Sequence, residues 1–263
     1  LISSHTLDSE LILSKILKKS REKILTSSEL NISRDTLLEF NRLIKRRIKS
    51  EPMAYILKEK EFWSKKFIVS INTLIPRPET ELLVEKIVNY FKNKKPFILD
   101  VGTGTGCILL SLLDEIKNSR GIGIDISKKA LQVAIKNSKN FKKNRKFKFY
   151  NRSLDEIFGF KFDLIVSNPP YICRHQIKNL ADDIKKYEPR IALDGGNDGL
   201  DVIKKVIYKS SIILKKKGML ALEIGHGQYK KVSQILKLQG FKNRFLIKDY
   251  QDNIRCVLTI LDN

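Results

Sequence analysis

The sequence contains, at residues 97–107, the stretch Phe97-Ile98-Leu99-Asp100-Val101-Gly102-Thr103-Gly104-Thr105-Gly106-Cys107. Its apolar first half predicts a buried β-strand, and the glycines that follow permit a tight turn and a close approach of the backbone to a ligand. A helix is predicted at residues 105–116. A dinucleotide-binding fingerprint would place glycine at position 107, where this chain has cysteine, so a pyrophosphate cradle is not indicated. The stretch therefore predicts a strand, a ligand-binding loop and a helix of an α/β fold.

The same alternation of short apolar runs and amphipathic segments continues from residue 79 to the end of the chain, which is typical of a parallel sheet built from βαβ units. Further helices are predicted at 79–92, 127–139, 199–215 and 228–239. Further strands are predicted at 121–125, 146–150, 163–167, 219–224, 241–248 and 254–261, the last two forming an antiparallel hairpin around a turn at 249–253. The predicted fold class is therefore α/β, with a Rossmann-like sheet of seven strands that ends in a hairpin.

The N-terminal part has a different pattern, with apolar residues at helical spacing between lysines. It predicts one helix at residues 7–25 and a second at 34–48, with Ser33 as the N-cap of the second and Pro52 marking its end. Aromatic and β-branched residues at 61–70 predict a short hairpin. We therefore divide the chain into a small N-terminal α-helical domain (1–58), a β-hairpin linker (59–75) and an α/β domain (76–263).

The chain is strongly basic, with 51 Lys and Arg against 29 Asp and Glu, which gives a net charge of +22 at pH 7. Such a charge suits a phosphate-rich partner such as nucleic acid or the ribosome. It also fits the residue usage of an AT-rich coding sequence, because lysine outnumbers arginine 38 to 13. Both explanations stay open. We interpret the lysines at 215–217 as a solvated helix end.

Cysteine and histidine usage argues against a metal site. The three cysteines, Cys107, Cys173 and Cys256, are far apart and form no C-x-x-C pair, and the chain has only three histidines. We therefore expect neither a disulfide framework nor a bound metal. No run of about 18 apolar residues occurs, and the first residues lack the basic-then-apolar pattern of a signal peptide. These features predict a cytoplasmic protein that does not enter a membrane.

Asp125 ends the strand that follows the glycine loop, 19 residues beyond Gly106. An acid at the tip of this strand can accept hydrogen bonds from both hydroxyls of a ribose. The alternative is that Asp125 is the N-cap of the helix that begins near Ser127. The residue is more informative together with the glycine loop than by itself.

The glycine loop and this acid resemble the first motifs of S-adenosylmethionine-dependent methyltransferases with a Rossmann-like sheet. The resemblance implies that Asp125 binds the ribose hydroxyls and that Leu154 packs against the adenine. Where relatives often carry an acid for the adenine amino group, this chain has Ser153, with Asp155 as the other candidate. The resemblance also implies that the methionine and ribose portions of S-adenosyl-L-methionine are held by the loop residues Gly102, Thr103, Gly104, Thr105 and Gly106.

The tetrapeptide Asn168-Pro169-Pro170-Tyr171 directly follows the predicted strand 163–167, at the carboxyl end where parallel sheets bind ligands. It resembles the signature of methyltransferases that act on planar amino or amide nitrogens. Such a nitrogen delocalises its lone pair, so it has to be positioned rather than deprotonated. The Asn168 side-chain oxygen and the Pro169 carbonyl can each accept one N–H, the two prolines keep the loop rigid, and Tyr171 is expected to cover the planar group. The alternative is a proline-rich turn without a catalytic role.

Other segments distinguish between adenine, guanine and glutamine as the methyl acceptor. Residues 51–56, 61–63, 74–81, 187–189 and 222–227 resemble, in this order, the bacterial peptide chain release factor glutamine methyltransferases. The resemblance implies methyl transfer to the side-chain amide nitrogen (N5) of the glutamine in the Gly-Gly-Gln motif of release factors, with S-adenosyl-L-homocysteine as product. It also implies that the N-terminal helices bind the release factor and that Arg77 and Glu79 line the site. The alternative for Arg77 and Glu79 is a salt-bridged helix start.

The implied partners are therefore peptide chain release factors, near the ribosome, with no obligatory nucleic acid, and we expect a monomer. The alternatives are glutamine methylation of a ribosomal protein, amino-group methylation of nucleic acid, and a non-catalytic RNA-binding module. We expect no general base, because the proton can leave to solvent after transfer. Glu188 and Glu223 either orient the catalytic loop or serve only the structure, and Cys173 and His175 are interpreted as loop packing.

Overall fold

The computed structural model describes residues 5–27, 29–141, 146–249 and 251–262. Some predicted features extend beyond these residues, namely positions 1–4 and 28 of the helical domain, position 250 of the last turn, and positions 142–145 and 263 of the α/β domain. The chain begins with helices α1 (His5–Leu17), α2 (Arg21–Leu25), α3 (Arg34–Ile48) and α4 (Met53–Leu57). Three of them pack on a small apolar core formed by Ile12, Leu43 and Ile56.

Helix α3 begins and ends where the sequence predicts, with the Ser33 hydroxyl accepting a hydrogen bond from the Thr36 amide. The single helix predicted at 7–25 is wrong. The chain leaves the helical conformation at Lys18, whose φ is +51°, and Ser20 caps a separate helix α2. Pro52 follows the end of α3 and is also the N-cap of α4, a helix that was not predicted from the sequence.

The predicted hairpin is present as β1 (Glu59–Phe62) and β2 (Lys65–Ile68), which pair antiparallel. Its turn residues Trp63 and Ser64 both have positive φ, the conformation of the two-residue turns that match the twist of a hairpin. Phe62 and Phe67 are fully buried and join the core beneath the large sheet.

The remaining elements alternate as predicted, apart from helix α8 (Asp182–Tyr187), which lies in the segment that the sequence pattern leaves as a loop between 167 and 199. The helices are α5 (Pro78–Phe91), α6 (Cys107–Glu115), α7 (Lys128–Ser138), α8 (Asp182–Tyr187), α9 (Asp201–Ile213) and α10 (Tyr229–Leu238). The strands are β3 (Phe97–Val101), β4 (Arg120–Asp125), β5 (Lys146–Asn151), β6 (Phe162–Ser167), β7 (Leu214–Glu223), β8 (Phe241–Lys248) and β9 (Ile254–Leu261).

Within the described residues, seven strands form one sheet in the order β5-β4-β3-β6-β7-β9-β8. The first five in this order are parallel, and β9 pairs antiparallel with both β7 and β8. The predicted fold class is thereby confirmed. Because β3, β4 and β6 are parallel neighbours, their carboxyl ends meet at one edge of the sheet, where such folds bind ligands.

Successive residues of the central strands face opposite layers of helices. Leu99 and Ile165 pack in a core with α9 and α10, whereas Ile98 and Leu164 pack in a core with α5 and α6. Burying a side chain of this size stabilises the fold by about 1.5–3 kcal/mol. The central strands are covered on both faces, which explains their nearly continuous apolar sequence.

The lysines at 215–217 are not a helix end. Helix α9 ends at Ile213, and these lysines lie in the first part of β7 with exposed side chains. The pairing of β6 with β7 shifts register between Phe162 and Leu164, so β7 carries additional residues opposite this step. A solvent-exposed strand start with three lysines has no apolar alternation to reveal it.

Candidate active site

A cavity of about 690 Å³ opens at the carboxyl ends of β3, β4 and β6. This volume is in the range of cavities that enclose small-molecule ligands. Of the residues predicted for the site, the lining includes Arg77, Gly102, Thr103, Gly104, Thr105, Asp125, Leu154, Asn168, Pro169 and Pro170. Ser153 and Asp155, the two candidates for the adenine contact, also line it. Glu79, Gly106 and Tyr171 are not part of the lining.

The glycine loop connects β3 to α6 and is tied to the neighbouring strand. The amides of Gly102 and Thr103 both donate to the Ile124 carbonyl oxygen at 2.9 Å. Gly102 has φ of +70°, and a methyl group added to it would meet no atom of the described residues within 4 Å, so the backbone faces open space in the cavity. A ligand can therefore approach this backbone closely.

Gly106 has a structural role. Its φ is +80°, and an added Cβ would lie 3.2–3.4 Å from Leu110, Ala134 and Phe149. It forms the N-cap of α6 and lets the helix pack closely on α7 and β5. The loop residue predicted to hold the cofactor at this position instead supports the loop from behind.

Asp100 fixes the loop from inside the protein. Its carboxylate accepts a hydrogen bond from the Thr103 hydroxyl at 2.6 Å, and the other carboxylate oxygen is buried without a hydrogen-bond partner among the described residues. Burial raises the pKa of Asp100 to about 7, and the Thr103 hydroxyl opposes this shift. The carboxyl thus joins the strand β3 to the loop that lines the cavity.

Asp125 lies at the end of β4 with its carboxylate beside the cavity. One oxygen accepts from the Gly104 amide at 3.0 Å, and the other accepts from the Ser127 amide at 2.8 Å. Burial raises the pKa of the carboxyl, against these two amide hydrogen bonds. The N-cap of α7 is Ser127, which accepts from the Ala130 amide, so the alternative role of Asp125 as the cap is wrong.

Asn168 follows β6 directly, and its side-chain amide is oriented by a partner on another element. The Asn168 Nδ2 donates to Thr80 Oγ1, at 3.3 Å, in the first turn of α5. Thr80 in turn donates to the buried carboxylate of Glu223 at the end of β7, at 2.6 Å. Because the Nδ2 atom is engaged in this way, the Oδ1 atom of Asn168 is left as an acceptor at the cavity.

Tyr171 does not have the position predicted for it. The hydroxyl donates to Glu223 Oε1 at 3.3 Å and accepts from the Arg255 guanidinium at 3.1 Å. Burial and the nearby Glu223 carboxylate raise the pKa of the Tyr171 hydroxyl to about 12. The ring packs against the core beneath the loop. In this structure Tyr171 supports the Asn168 loop from below and does not cover the cavity.

Arg77 and Glu188 bring two rims of the cavity together. The Arg77 guanidinium donates to the buried Glu188 carboxylate, which also accepts from the Ile75 amide at 3.2 Å. Burial raises the pKa of Glu188, and the Arg77 charge opposes the shift. Arg77 is thus a salt-bridged residue at the start of α5 that also lines the cavity, and Glu188 joins the loop after α8 to this start.

Thr80 and Asn137 are not among the residues predicted from the sequence for the site. Asn137 of α7 is buried and donates from Nδ2 to the carbonyl oxygens of Ile68 and Thr105, while its Oδ1 accepts from the Ile68 amide. It therefore joins the hairpin to the glycine loop. Thr80 is part of a segment that carried the family resemblance, but its uncharged side chain attracts less attention in a sequence than those of Arg77 and Glu79.

Cys173, His175 and Cys256 lie outside the cavity wall, whereas Cys107 at the start of α6 lines it. Cys173 precedes a short 3₁₀ helix at residues 174–179 that contains His175, and Cys107 and Cys256 are buried thiols. Among the described residues no group of three or more histidine, cysteine, aspartate or glutamate side chains could hold a metal ion. In the part of the chain that the structure describes, no helix has the length and apolarity needed to cross a membrane.

Comparison with known proteins extends over nearly the whole chain. Residues 2–57 match the family described as PrmC N-terminal domain, and residues 77–197 match the family described as Methyltransferase small domain. A release factor glutamine methyltransferase from Buchnera aphidicola subsp. Baizongia pistaciae is 40% identical over 257 residues, which cover 96% of this chain and 91% of that protein. The corresponding protein from Clostridium acetobutylicum is 39% identical over 257 residues, with 96% and 90% covered.

A solved structure of a methyltransferase from Pyrococcus furiosus superposes with a TM-score of 0.58 and 15% sequence identity. The match covers 85% of this chain and 99% of that one. At this level of identity the likeness concerns the fold alone. The resemblance stated from the sequence segments is therefore confirmed by the sequence relatives, and the architecture agrees with the structural neighbour.

Proposed function

Because the chain belongs to the release factor glutamine methyltransferase family, we propose that it methylates the side-chain amide nitrogen of a glutamine in a peptide chain release factor, at the Gly-Gly-Gln motif. The observation that supports this proposal most directly is the orientation of Asn168. Its Nδ2 is bonded to Thr80, so its Oδ1 is available to an incoming N–H at the end of β6. This is the arrangement that an amide nitrogen needs for positioning.

The residues of the cavity fit S-adenosyl-L-methionine. The open space at Gly102 allows the ligand to approach the backbone, and the half-buried Asp125 carboxylate has acceptor capacity for ribose hydroxyls. We assign Thr103, Gly104 and Thr105 to the same wall, and Leu154 to an apolar contact with the adenine. When bound, this cofactor supplies an electrophilic methyl group on a sulfonium.

The protein's own residues orient the acceptor nitrogen. The Asn168 Oδ1 and the Pro169 carbonyl oxygen each accept one N–H of the glutamine amide, which raises the electron density on nitrogen and fixes its direction. Pro170 keeps the loop rigid because its ring fixes φ. The surplus proton of the methylated amide leaves to solvent, so the reaction needs no general base in the chain.

Arg77 and Pro170 line the entrance through which the glutamine side chain would reach Asn168. Glu79 lies beside them in the first turn of α5, and we assign it to the outer part of the same entrance. We propose that Tyr171 acts from below, by holding the loop, and not as a cover of the substrate. We assign Gly106 to support of the glycine loop, because it lies close to Leu110, Ala134 and Phe149.

We further propose that helices α1–α3 bind the body of the release factor, and that residues 1–58, 59–75 and 76–263 correspond to the helical, linker and methyltransferase parts. The enzyme is proposed to act as a monomer in the cytoplasm near the ribosome, without obligatory nucleic acid. The net charge of +22 is compatible with this location.

The experiment is mass spectrometry of a purified release factor incubated with the enzyme and S-adenosyl-L-methionine. We expect a gain of about 14 Da, one methyl group, on the Gly-Gly-Gln glutamine, and no gain on a release factor in which this glutamine is changed to alanine. The enzyme variant Asn168→Ala is the matched control. Methylation of ribosomal protein or RNA in place of the release factor would overturn the substrate assignment and leave the cofactor assignment intact.

A further inference from the structure

A chain of hydrogen bonds connects Asn168 to a carboxylate that does not reach the cavity. Thr80 is buried between the two, accepting from Asn168 Nδ2 at 3.3 Å and donating to Glu223 Oε2 at 2.6 Å. Glu223 is fully buried at the end of β7. In the parallel pairing of β6 with β7, Ser167 lies opposite Leu222, so Asn168, directly after β6, is one position beyond this pair, as is Glu223, the last residue of β7.

The direction of these bonds is set by the carboxylate. An ionised carboxylate only accepts hydrogen bonds, so the single hydroxyl proton of Thr80 is directed to Glu223. The Thr80 oxygen then offers lone pairs alone to Asn168. The Asn168 amide must therefore present its NH₂ group to Thr80, because its carbonyl oxygen would meet another acceptor.

We propose that Glu223, acting through the Thr80 hydroxyl, is a positioning residue that holds the Asn168 amide with Oδ1 toward the substrate glutamine. The inference rests on the proposed function, because it concerns which atom of Asn168 meets the acceptor amide. If Thr80 could donate to Asn168, the amide could turn over and present NH₂ to the substrate NH₂. Two donors would then face each other, and the acceptor nitrogen would lose one of its two orienting bonds.

The hydrogen-bond donors around Glu223 favour its ionised form, which only accepts. Its other oxygen accepts from the Tyr171 hydroxyl at 3.3 Å, and Tyr171 accepts in turn from Arg255. Burial raises the pKa of Glu223, Thr80 and Arg255 oppose this shift, and the charge of Glu79 adds to it. The thiol of Cys256, which pairs with Glu223 across β7 and β9, has its pKa raised by burial and by the same carboxylate.

The test compares isosteric variants of the two residues. Glu223→Gln can donate from its amide to Thr80 and so releases the Thr80 proton, and Thr80→Val removes the hydroxyl at nearly constant volume. We expect each to lower kcat by roughly 10- to 100-fold, as for other small misplacements of reacting groups. The KM for the release factor and the Kd for S-adenosyl-L-methionine, measured by calorimetry, are expected to stay within about threefold, or less than 1 kcal/mol.

Two further variants separate positioning from stability. Thr80→Ser keeps the hydroxyl and is expected to recover at least about tenfold in kcat relative to Thr80→Val. Thr259→Val removes another buried threonine hydroxyl, which donates to the Leu220 carbonyl in the sheet, and serves as the control for loss of a core hydroxyl. The double variant Thr80→Val/Glu223→Gln is expected to be no slower than either single variant, since the two residues act as one unit.

The dependence of kcat on pH distinguishes positioning from a purely structural role, because a purely structural role would leave this dependence unchanged in the variants. In the wild type, kcat is expected to rise with pH as Glu223 ionises. This rising limb should lie above pH 4.5, the usual pKa of a glutamate carboxyl, because burial raises the pKa of Glu223. This limb should be missing in Glu223→Gln and in Thr80→Val. Wild-type kcat in both variants, or an unchanged limb, would overturn the positioning role, whatever their thermal stability. Failure of the wild-type enzyme to methylate the release factor would instead overturn the proposed function.

Discussion

The Oδ1 atom of Asn168 is the side-chain acceptor at the end of β6, because Thr80 engages the Nδ2 atom of the same amide. We expect Asn168→Ala to lower kcat by roughly 100-fold or more, the usual cost of removing one preorganised hydrogen-bonding group from an active site. The affinity for S-adenosyl-L-methionine should change little, because the lost bond is made to the substrate. Mass spectrometry gives the rate and calorimetry the affinity. An equal loss in both would make Asn168 mainly a cofactor contact.

At the residue scale, the site residues that could be predicted are those that lie in contiguous sequence motifs. Gly102 and Asn168 each follow a predicted strand directly, and their residue types at these positions suit few roles other than ligand binding. The roles of Thr80 and Tyr171 could not be predicted in the same way, because they depend on bonds to Glu223 that span 143 and 52 positions of the chain. A threonine or a tyrosine has no distinctive sequence signal for such a contact, and only the register of β6 and β7 brings the residues together.

Asp100 predicts a pH dependence of stability. Its folded pKa of about 7 lies above the ordinary value of 3.8, so the folded state holds a proton that the unfolded state has lost. The stabilising contribution is therefore fully present below pH 4 and is lost as the pH rises toward 7. We expect wild type to lose stability relative to Asp100→Asn by on the order of 1 kcal/mol per pH unit across this window.

Urea denaturation of both proteins at a series of pH values measures this difference. The other buried carboxyls, including Glu188 and Glu223, are present in both proteins, so their contributions cancel in the comparison. Above pH 7 the two stability curves should run parallel. Curves that are parallel between pH 4 and 7 as well would show that Asp100 is ionised throughout the folded state, with its charge held by the loop.

At the scale of elements, Asn137 joins three parts of the fold, since one side chain on α7 bonds both to β2 and to the glycine loop. Asn137→Asp keeps the shape but brings a carboxylate against the carbonyl oxygens of Ile68 and Thr105. We expect a loss of about 2–3 kcal/mol in the free energy of unfolding, because two buried acceptors lose their donor. Asn89→Asp, on the exposed side of α5, is the matched control and should cost well under 1 kcal/mol.

Urea denaturation gives both values, and cofactor calorimetry adds a second measurement. Because Asn137 Nδ2 also donates to the Thr105 carbonyl oxygen of the glycine loop, the aspartate variant should bind S-adenosyl-L-methionine more weakly than Asn89→Asp does. Equal stability of the two variants would mean that the hairpin is held by Phe62 and Phe67 in the core and that the Asn137 bonds contribute nothing measurable.

The strands of the sheet could be predicted because their buried faces require apolar residues, and short runs between helices leave few other interpretations. The helix predicted at 7–25 failed for a local reason. Apolar residues continue at helical spacing across Lys18, but the left-handed backbone there divides the stretch into two helices, on which Ile12 and Ile24 are each buried. Helix α4 has only five residues and follows a proline, so periodicity could not identify it.

At the scale of the whole molecule, the helical part and the sheet differ greatly in the amount of buried core. Among the described residues, helices α1, α3 and α4 share three buried apolar side chains, whereas the sheet and its helices form two large cores. The two parts meet through a small cluster of Tyr55, Val69 and Ile75, and through the bond from the Tyr187 hydroxyl to the Lys49 carbonyl. A small core implies a lower free energy of local opening.

Cofactor binding should therefore act on the two parts unequally. The cavity lining begins at Asn72, so helices α1–α4 contribute no residue to it. At about 100 times the Kd, S-adenosyl-L-methionine should raise the free energy of opening of β3 and β6 by about 2.7 kcal/mol, and leave the opening of α1 and α3 unchanged. Hydrogen exchange followed by mass spectrometry measures both regions in one experiment.

The variant Ile12→Ala makes this test sharper, because it removes a fully buried side chain from the small core alone. The free energy of opening of α1 and α3 should fall by about 2–4 kcal/mol, or to zero if these helices become fully open, and their hydrogen exchange should become correspondingly faster. The cofactor affinity and the exchange of β3 should stay as in wild type. Protection of α1 and α3 that rises together with that of the sheet on cofactor binding would show that the two parts open only as one. The division of the chain near residue 58 would then describe its sequence pattern but not its unfolding. Binding of a release factor to the helices would in that case be coupled to binding of the cofactor in the cavity.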